Sequence, residues 1–518
     1  MFNASKDQLF TLIKSLNKAE KRNFKLYTNR FQSGQDTKFI QLFDVLDRLS
    51  EYDDEQILRR LPEVKKRHLP NLKRHLYKQI LISLRLIYIK KNIDIQIREQ
   101  IDFARILYGK GMYMQALKLL DRIKQIAEEH HQDILHLEIL EFEKLIEARH
   151  ITRSRAVKNK MEDLLEASIH RSNVTHTTSR LSNLNIQVQG WYIQHGHVKN
   201  DADLTEIKAY YDSVFPDDLK LESLTFLEKI NLFQSEMWYH YIRLDFPACR
   251  GEAQRWVKLF EDNPQIQEKD PDLYMRGLYY LLIFSFFLEE VAHFDQYLQQ
   301  FETFVQKCEE GFNANSQMIA FVYLNLSRLN QQFLKGRYQQ GLYLVPEIQE
   351  GINTFEEHTD AHRILLFYYK IAYLHFGCGH FENALDYLNK ITTLQSGFLR
   401  DDLHFNARLL HLICHYEIGN YGLLEYLIPS VQRTIEKGRD TSRWQKATLQ
   451  FIQELNKLTA SDRPAAFRRF RQKIKGLAKD PFEQKEILYL DIPSWVESHL
   501  QQCSIQELQS RQRLNIEE

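Results

Sequence analysis

Two Glu-x-x-His pairs, Glu128 with His131 and Glu147 with His150, have the spacing that sets a carboxylate and an imidazole on one face of a helix. Together they make half of a di-iron carboxylate set, which needs two further glutamates from two other helices in register, and nothing in the sequence fixes those. His358 and His362 stand four apart around Asp360, as two zinc ligands on a helix would, but at a place that reads as a hairpin loop or helix start. His375-x-x-Cys378-x-His380 and His411-x-x-Cys414-His415 also look like ligand sets. The loops that cradle phosphates (GxxxxGK[ST], GxGxxG), the GxSxG elbow and HExxH are all missing from the sequence. No motif assembles nucleophile, base and oxyanion donors. The expectation is a chain with no catalytic centre, no metal and no required cofactor.

The elements that would position these residues are helices. Glycine and proline are scarce, 18 and 11 of 518 residues, and strand-like alternation is hard to find. Apolar residues recur instead at three and four, as in Leu117, Leu120, Ile123 and Ala127. One short motif also recurs. Gly379-His-Phe381-Glu-Asn-Ala384-Leu385 reads G-x-F-x-x-A-L, and Gly111-Met-Tyr113-Met-Gln-Ala116-Leu117 reads G-x-Y-x-x-A-L. Gly336 with Tyr338 and Gly341, and Gly419 with Tyr421 and Leu424, repeat it with changes. Weaker copies are marked by Leu244 with Phe246, Ala292 with Phe294, and Gly196 with Val198. Glycine lets the backbone reverse, the aromatic covers the seam, and the small residue admits a close second helix. Positions nine and twelve after the mark are apolar in every copy except that at Gly196, which offers Thr205 and Lys208.

The marks at 111, 196, 244, 292, 336, 379 and 419 are 40 to 48 residues apart, save the first step of 85, which predicts a degenerate hairpin near Ser154 and about eight hairpins in all. Aligning Gly379 with Gly419 sets His375 on His415, and His240 falls on the same place before Leu244. Recurrence at one phase makes these histidines structural positions between helices. Pro346 and Pro429 both fall ten after their glycine, which predicts a repeated kink in the second helix.

Over roughly residues 94 to 445 the chain resembles the tetratricopeptide-type helical repeat family, whose unit is shorter, at about 34 residues. The resemblance implies a binding scaffold for peptides or helices of partner proteins. The fold expected is all-α: an α-solenoid of stacked antiparallel hairpins over 93–445, after a basic helical region over 1–92 and before capping helices and a frayed last dozen residues within 446–518.

Charge is zero overall, with 69 basic and 69 acidic residues, but residues 1–92 hold 20 basic against 10 acidic. Five amphipathic segments are read there, near 5–16, 18–31, 36–50, 53–61 and 66–92. On the last, Arg74, Lys78 and Arg85 project within about 40° of one another, opposite Leu72, Leu76, Ile80 and Ile87. Arg67 joins them if the helix starts early enough. This stripe is the candidate surface for an anion or an acidic partner, against a solvated face neutralised by the acidic segment 51–55. The five cysteines are too few and too scattered for a disulfide framework. The N-terminus has no signal-peptide pattern, and the longest apolar run, Leu278 to Leu288, is about half a membrane span. The expected protein is a cytoplasmic, non-catalytic interaction scaffold that grips a protein or peptide on the concave face of its repeats. The second reading is a ligand-sensing transcription regulator whose basic N-terminal helices bind DNA.

Overall fold

The computed structural model describes residues 7–28, 36–150, 159–355, 360–393, 401–437, 442–483, 489–509 and 511. Among these residues every regular element is helical, and helices contact their neighbours in sequence order. Two compact units divide the chain, Met1–His176 and Thr177–Glu518.

The first unit contains α1 (Gln8–Ser15), α2 (Lys18–Thr28), α3 (Asp36–Arg48), α4 (Asp54–Arg60), α5 (Leu69–Tyr88), α6 (Ile93–Gly109), α7 (Tyr113–Glu129), α8 (Asp133–His150) and the start of α9 (Lys160–His195). The first five stand where the amphipathic segments were read. Asp53 caps α4 by accepting from the Glu55 N–H at 2.8 Å, and Pro70 lies in the first turn of α5. Leu76 and Ile80 of α5 enter a core with Ile13, Phe24, Phe43 and Ile57. A separate core of Ile97, Ile101, Leu120 and Ile139 joins α6, α7 and α8.

The second unit continues α9 and adds α10 (Asp201–Val214), α11 (Phe226–Ile242), α12 (Phe246–Glu261), α13 (Pro264–Lys269), α14 (Pro271–Phe287), α15 (Val291–Cys308), α16 (Ala314–Leu334), α17 (Tyr338–Gly341), α18 (Val345–Thr354), α19 (Ala361–Gly377), α20 (Phe381–Thr393), α21 (Asp401–Glu417), α22 (Tyr421–Lys437), α23 (Arg443–Leu455), α24 (Arg463–Leu477) and α25 (Ile492–Gln501). One continuous apolar core runs from Phe226 to Ile505.

Hairpin turns at Gly111, Leu244, Glu289, Gly336, Gly379 and Gly419 share one form. Each takes a positive φ between 55° and 79°. At Gly379 the turn N–H bonds to the Phe376 carbonyl at 3.0 Å and the next N–H to the His375 carbonyl at 2.8 Å, and the other turns repeat this pair. This is the left-handed stop that satisfies the last carbonyls of a helix. In five of the six, an aromatic three residues before the turn meets one two residues after it. The pairs are Tyr108 with Tyr113, Tyr241 with Phe246, Phe333 with Tyr338, Phe376 with Phe381, and Tyr416 with Tyr421, at centroid distances of 5.5 to 6.4 Å.

The fourth mark differs from the sequence reading. Spacing placed it at Ala292, whereas the turn is at Glu289. Phe294 is therefore the residue in the small position, fully buried, rather than the seam aromatic. Leu298 and Phe301 are the core pair, but Phe304 is buried as well. A slip of three keeps to one helix face, so an apolar test at nine and twelve cannot detect it. The hairpin expected near Ser154 falls partly on 151–158, outside the described residues. Asn159, with φ 60°, opens α9 at 48 residues after Gly111 and 37 before Gly196. Nine and twelve residues further on stand Ser168 and Arg171, both buried and polar. After Gly196 the next helix waits for its cap, Asn200, so Thr205 and Lys208 point outward while Ile207 and Tyr211 are buried.

The two prolines do not act alike. Pro346 is the second residue of α18, which follows a short 3₁₀ turn over 342–344, whereas Pro429 lies inside continuous α22. Close helix approach depends on other glycines. An alanine methyl at Gly377 would overlap Cδ1 of Tyr338, a ring buried between Phe333 and Tyr373. At Gly341 the nearest atom is the end of Leu374, at 2.6 Å, which can rotate. Gly377→Ala should therefore cost roughly 1–3 kcal/mol, the usual range for overpacking, and Gly341→Ala less than about 1 kcal/mol. Thermal unfolding of the two variants checks this; equal losses would contradict it.

Candidate functional site

Arg74, Lys78 and Arg85 are exposed along α5, as the helical phase requires. Arg67 does not extend the row: it belongs to a 3₁₀ turn over 66–68 that precedes α5, with its Nε 3.2 Å from Nε2 of His68. Arg74 reaches the side chain of Asn71 at 3.4 Å, and Arg85 lies 3.6 Å from Asp102 of α6. Lys78 has no hydrogen-bond or ion-pair partner among the described residues. The acids of 51–55 turn toward their own helix. Asp53 caps it, Asp54 accepts from the Tyr52 hydroxyl, and Glu55 pairs with Arg59. Lys73 is the α5 cation that is used internally, reaching Asp7 and the Tyr52 hydroxyl. Leu81, 44% exposed, lies about 20° from Arg74 in helical phase and so within the basic row. The far face named from the sequence, Leu72, Leu76, Ile80 and Ile87, does not include it.

The spaced ligand motifs bring some rings together, His411 with His415 at 4.6 Å and His375 with His380 at 6.0 Å between centroids, but only in pairs. Glu128 pairs with Arg171 at 3.2 Å, while His131 occupies a positive-φ turn. His150 stacks on Tyr113 with centroids 3.7 Å apart, and Glu147 is buried in α8. His358 lies outside the described residues. His240, His375 and His415 each supply the backbone carbonyl that the turn's last N–H reaches, a role that Leu107, Ser285 and Gln332 fill at the other turns. His375 stacks on Tyr387, and burial, then His380, lowers its pKa. His411 bonds Asn389 at 3.2 Å, and burial lowers its pKa to about 4. No cluster of three or more His, Cys, Asp or Glu side chains is arranged to hold a metal among the described residues.

Buried charge collects instead in the first unit. Glu143, fully buried, accepts from Lys124 and from Lys160, each at 2.8 Å. Arg171 joins Asp133 and Glu128. These pairs tie α7, α8 and the start of α9 where other hairpins use apolar contacts.

In the second unit the chain's own C-terminal segment lies over the ends of the first helices. Tyr369 donates to the Tyr489 carbonyl at 2.8 Å, and the Tyr489 hydroxyl lies 3.5 Å from that of Tyr241. Trp495 and His499 both donate to Glu417 Oε1, at 2.6 and 2.7 Å. Two cavities of about 390 and 310 Å³ share Glu417 and His499 in their walls. That carboxylate oxygen is thereby occupied in fastening α25 to α21. Residues 505–509 form one more helical turn, whose Gln506 accepts from the Gln339 N–H at 2.8 Å. Residues 507–509, expected to fray, are instead folded onto the unit, since Leu508 is buried and Gln509 bonds to Asp491; the rest of that expected end lies almost wholly outside the described residues.

Among the described residues no helix is long and apolar enough to cross a membrane, and the five cysteines are free thiols. No family model matches the chain, no curated protein matches it, and no solved structure matches it.

Proposed function

We propose that the chain is a non-catalytic cytoplasmic scaffold that binds other proteins through tetratricopeptide-like hairpins. The observation that carries this reading is a pair of tyrosines without a packing role. Tyr343 and Tyr426 are 78% and 79% exposed, each seven residues after its turn glycine and three before a proline. The apolar neighbours at the same phase, Val345 and Ile428, are buried. Exposed tyrosine at a repeated position suits partner contact, where Tyr is enriched among energetic anchors. The histidine motifs form no metal-holding cluster among the described residues, which is in keeping with the same reading. Free thiols are in keeping with a reducing compartment.

Affinity capture of the full chain from its native extract, followed by crosslinking, should recover a stoichiometric polypeptide. The double variant Tyr343→Ser/Tyr426→Ser should lose crosslinks near those positions with an unchanged Tm. A chain recovered only as the 62.0 kDa monomer would overturn the proposal.

A further inference from the structure

We infer that the exposed side of α5, with the adjoining side of α6, docks an acidic amphipathic helix of a partner protein. This rests on the scaffold reading and names the partner's chemistry. Arg74 and Lys78 have no acidic partner among the described residues, and the acids nearest in sequence serve α4. Between Arg59 and Lys91 there are 11 basic residues and one acid, so the surrounding field favours a negative partner. Cations alone would equally suit phosphate. The apolar residues among them decide otherwise. Leu81 sits in the row at 44% exposure, and the Arg85–Asp102 pair leads onto α6, where Ile106 is 57% and Phe103 44% exposed. A surface of spaced cations beside exposed aliphatic and aromatic side chains is complementary to a helix with glutamates along one edge and leucines along the other. Arg74 to Arg85 spans about 16 Å at 1.5 Å per residue, which is three turns of such a helix.

The experiment uses the full chain and three labelled probes: a 20-residue amphipathic helix with glutamates flanking a leucine seam, a scrambled peptide of the same composition, and a 20-base-pair DNA duplex. Fluorescence anisotropy should show binding of the helix alone. Arg74→Glu/Lys78→Glu should weaken it at least tenfold, and Leu81→Ser about fivefold, with Tm unchanged because all three positions are exposed. Equal binding of the scrambled peptide, no effect of Leu81→Ser, or tighter binding of the duplex would each overturn the inference. The scaffold reading would survive that failure if native capture still yields a partner crosslinked elsewhere on the chain.

Discussion

Trp495→Ala is expected to destabilise the second unit by about 3–5 kcal/mol, the range for removing a buried tryptophan from a core. The indole is 2% exposed and sits among Tyr416, Phe451, Phe467 and His499, with ring centroids 5.5 to 6.3 Å away. Its N–H also supplies one of two donors to Glu417. The loss has two components, a cavity between α21, α24 and α25, and a carboxylate left with His499 alone. Trp495→Phe separates them: it retains most of the ring contacts and forfeits the hydrogen bond, so it should cost about 1.5–3 kcal/mol, as for a bond to a charged group. Denaturant unfolding gives both values. Hydrogen exchange should show the added opening in α25 and in residues 505–509, because these reach the repeats through the same corner. A Trp495→Ala variant as stable as the wild type would mean that the C-terminal segment is not part of the folded unit.

The helical repeat was legible because its turns are stereochemically demanding. A left-handed residue at a helix stop favours glycine, and four of the six turns at the repeat marks have it, while His131 between α7 and α8 takes the same form without it. Where Leu244 and Glu289 bear that conformation instead, the sequence signal weakens. At Glu289 it misled by three residues, a step that a helical pattern hides. The better marker was the aromatic three residues before each turn, present even at Glu289 as Phe286. The hairpin opening at Asn159 was illegible for another reason: its core positions hold a serine and an ion-paired arginine, which no apolar test accepts. The docked end of the chain did carry a signal. Ser504 and Glu507 form a reciprocal cap, with N–H to side-chain bonds of 2.9 and 3.2 Å, and S-x-x-E is readable in the sequence. Of the candidate surface, the cations were legible from helical phase. Leu81's place in the row follows from the same phase, but its exposure does not, because that depends on what the bundle leaves uncovered.

Glu143→Leu is expected to destabilise the first unit by about 2–4 kcal/mol, while the triple change Lys124→Met/Glu143→Leu/Lys160→Met should return it to within about 1 kcal/mol of the wild type. Removing the carboxylate alone takes the acid from Lys160 and leaves Lys124 only Asp121, at 3.5 Å, with side chains 18% and 25% exposed beside a buried site. Replacing all three puts apolar volume where charge has been desolvated, a change that is often neutral. Acid should act on the same place. Burial by itself would raise the Glu143 pKa, but the hydrogen bonds from Lys124 and Lys160 outweigh it, and the pKa is lowered. Its stabilisation is therefore present above the unfolded carboxylate range and is lost as pH falls through the folded value. His136, beside this network, has its pKa lowered to about 4, first by burial and then by Arg171 and Lys124. The unfolded chain takes up that proton near pH 6.5 and the folded chain only near 4, so stability falls as pH drops between them, by at most about 1.4 kcal/mol per pH unit. His136→Leu should flatten the slope between pH 6.5 and 4, and the triple variant should flatten the part below it. Unfolding midpoints measured from pH 7 to pH 3.5 test both. A slope left intact by His136→Leu would place the acid-sensitive group elsewhere, with half-buried His411 of the second unit, its pKa also lowered to about 4, the next to replace.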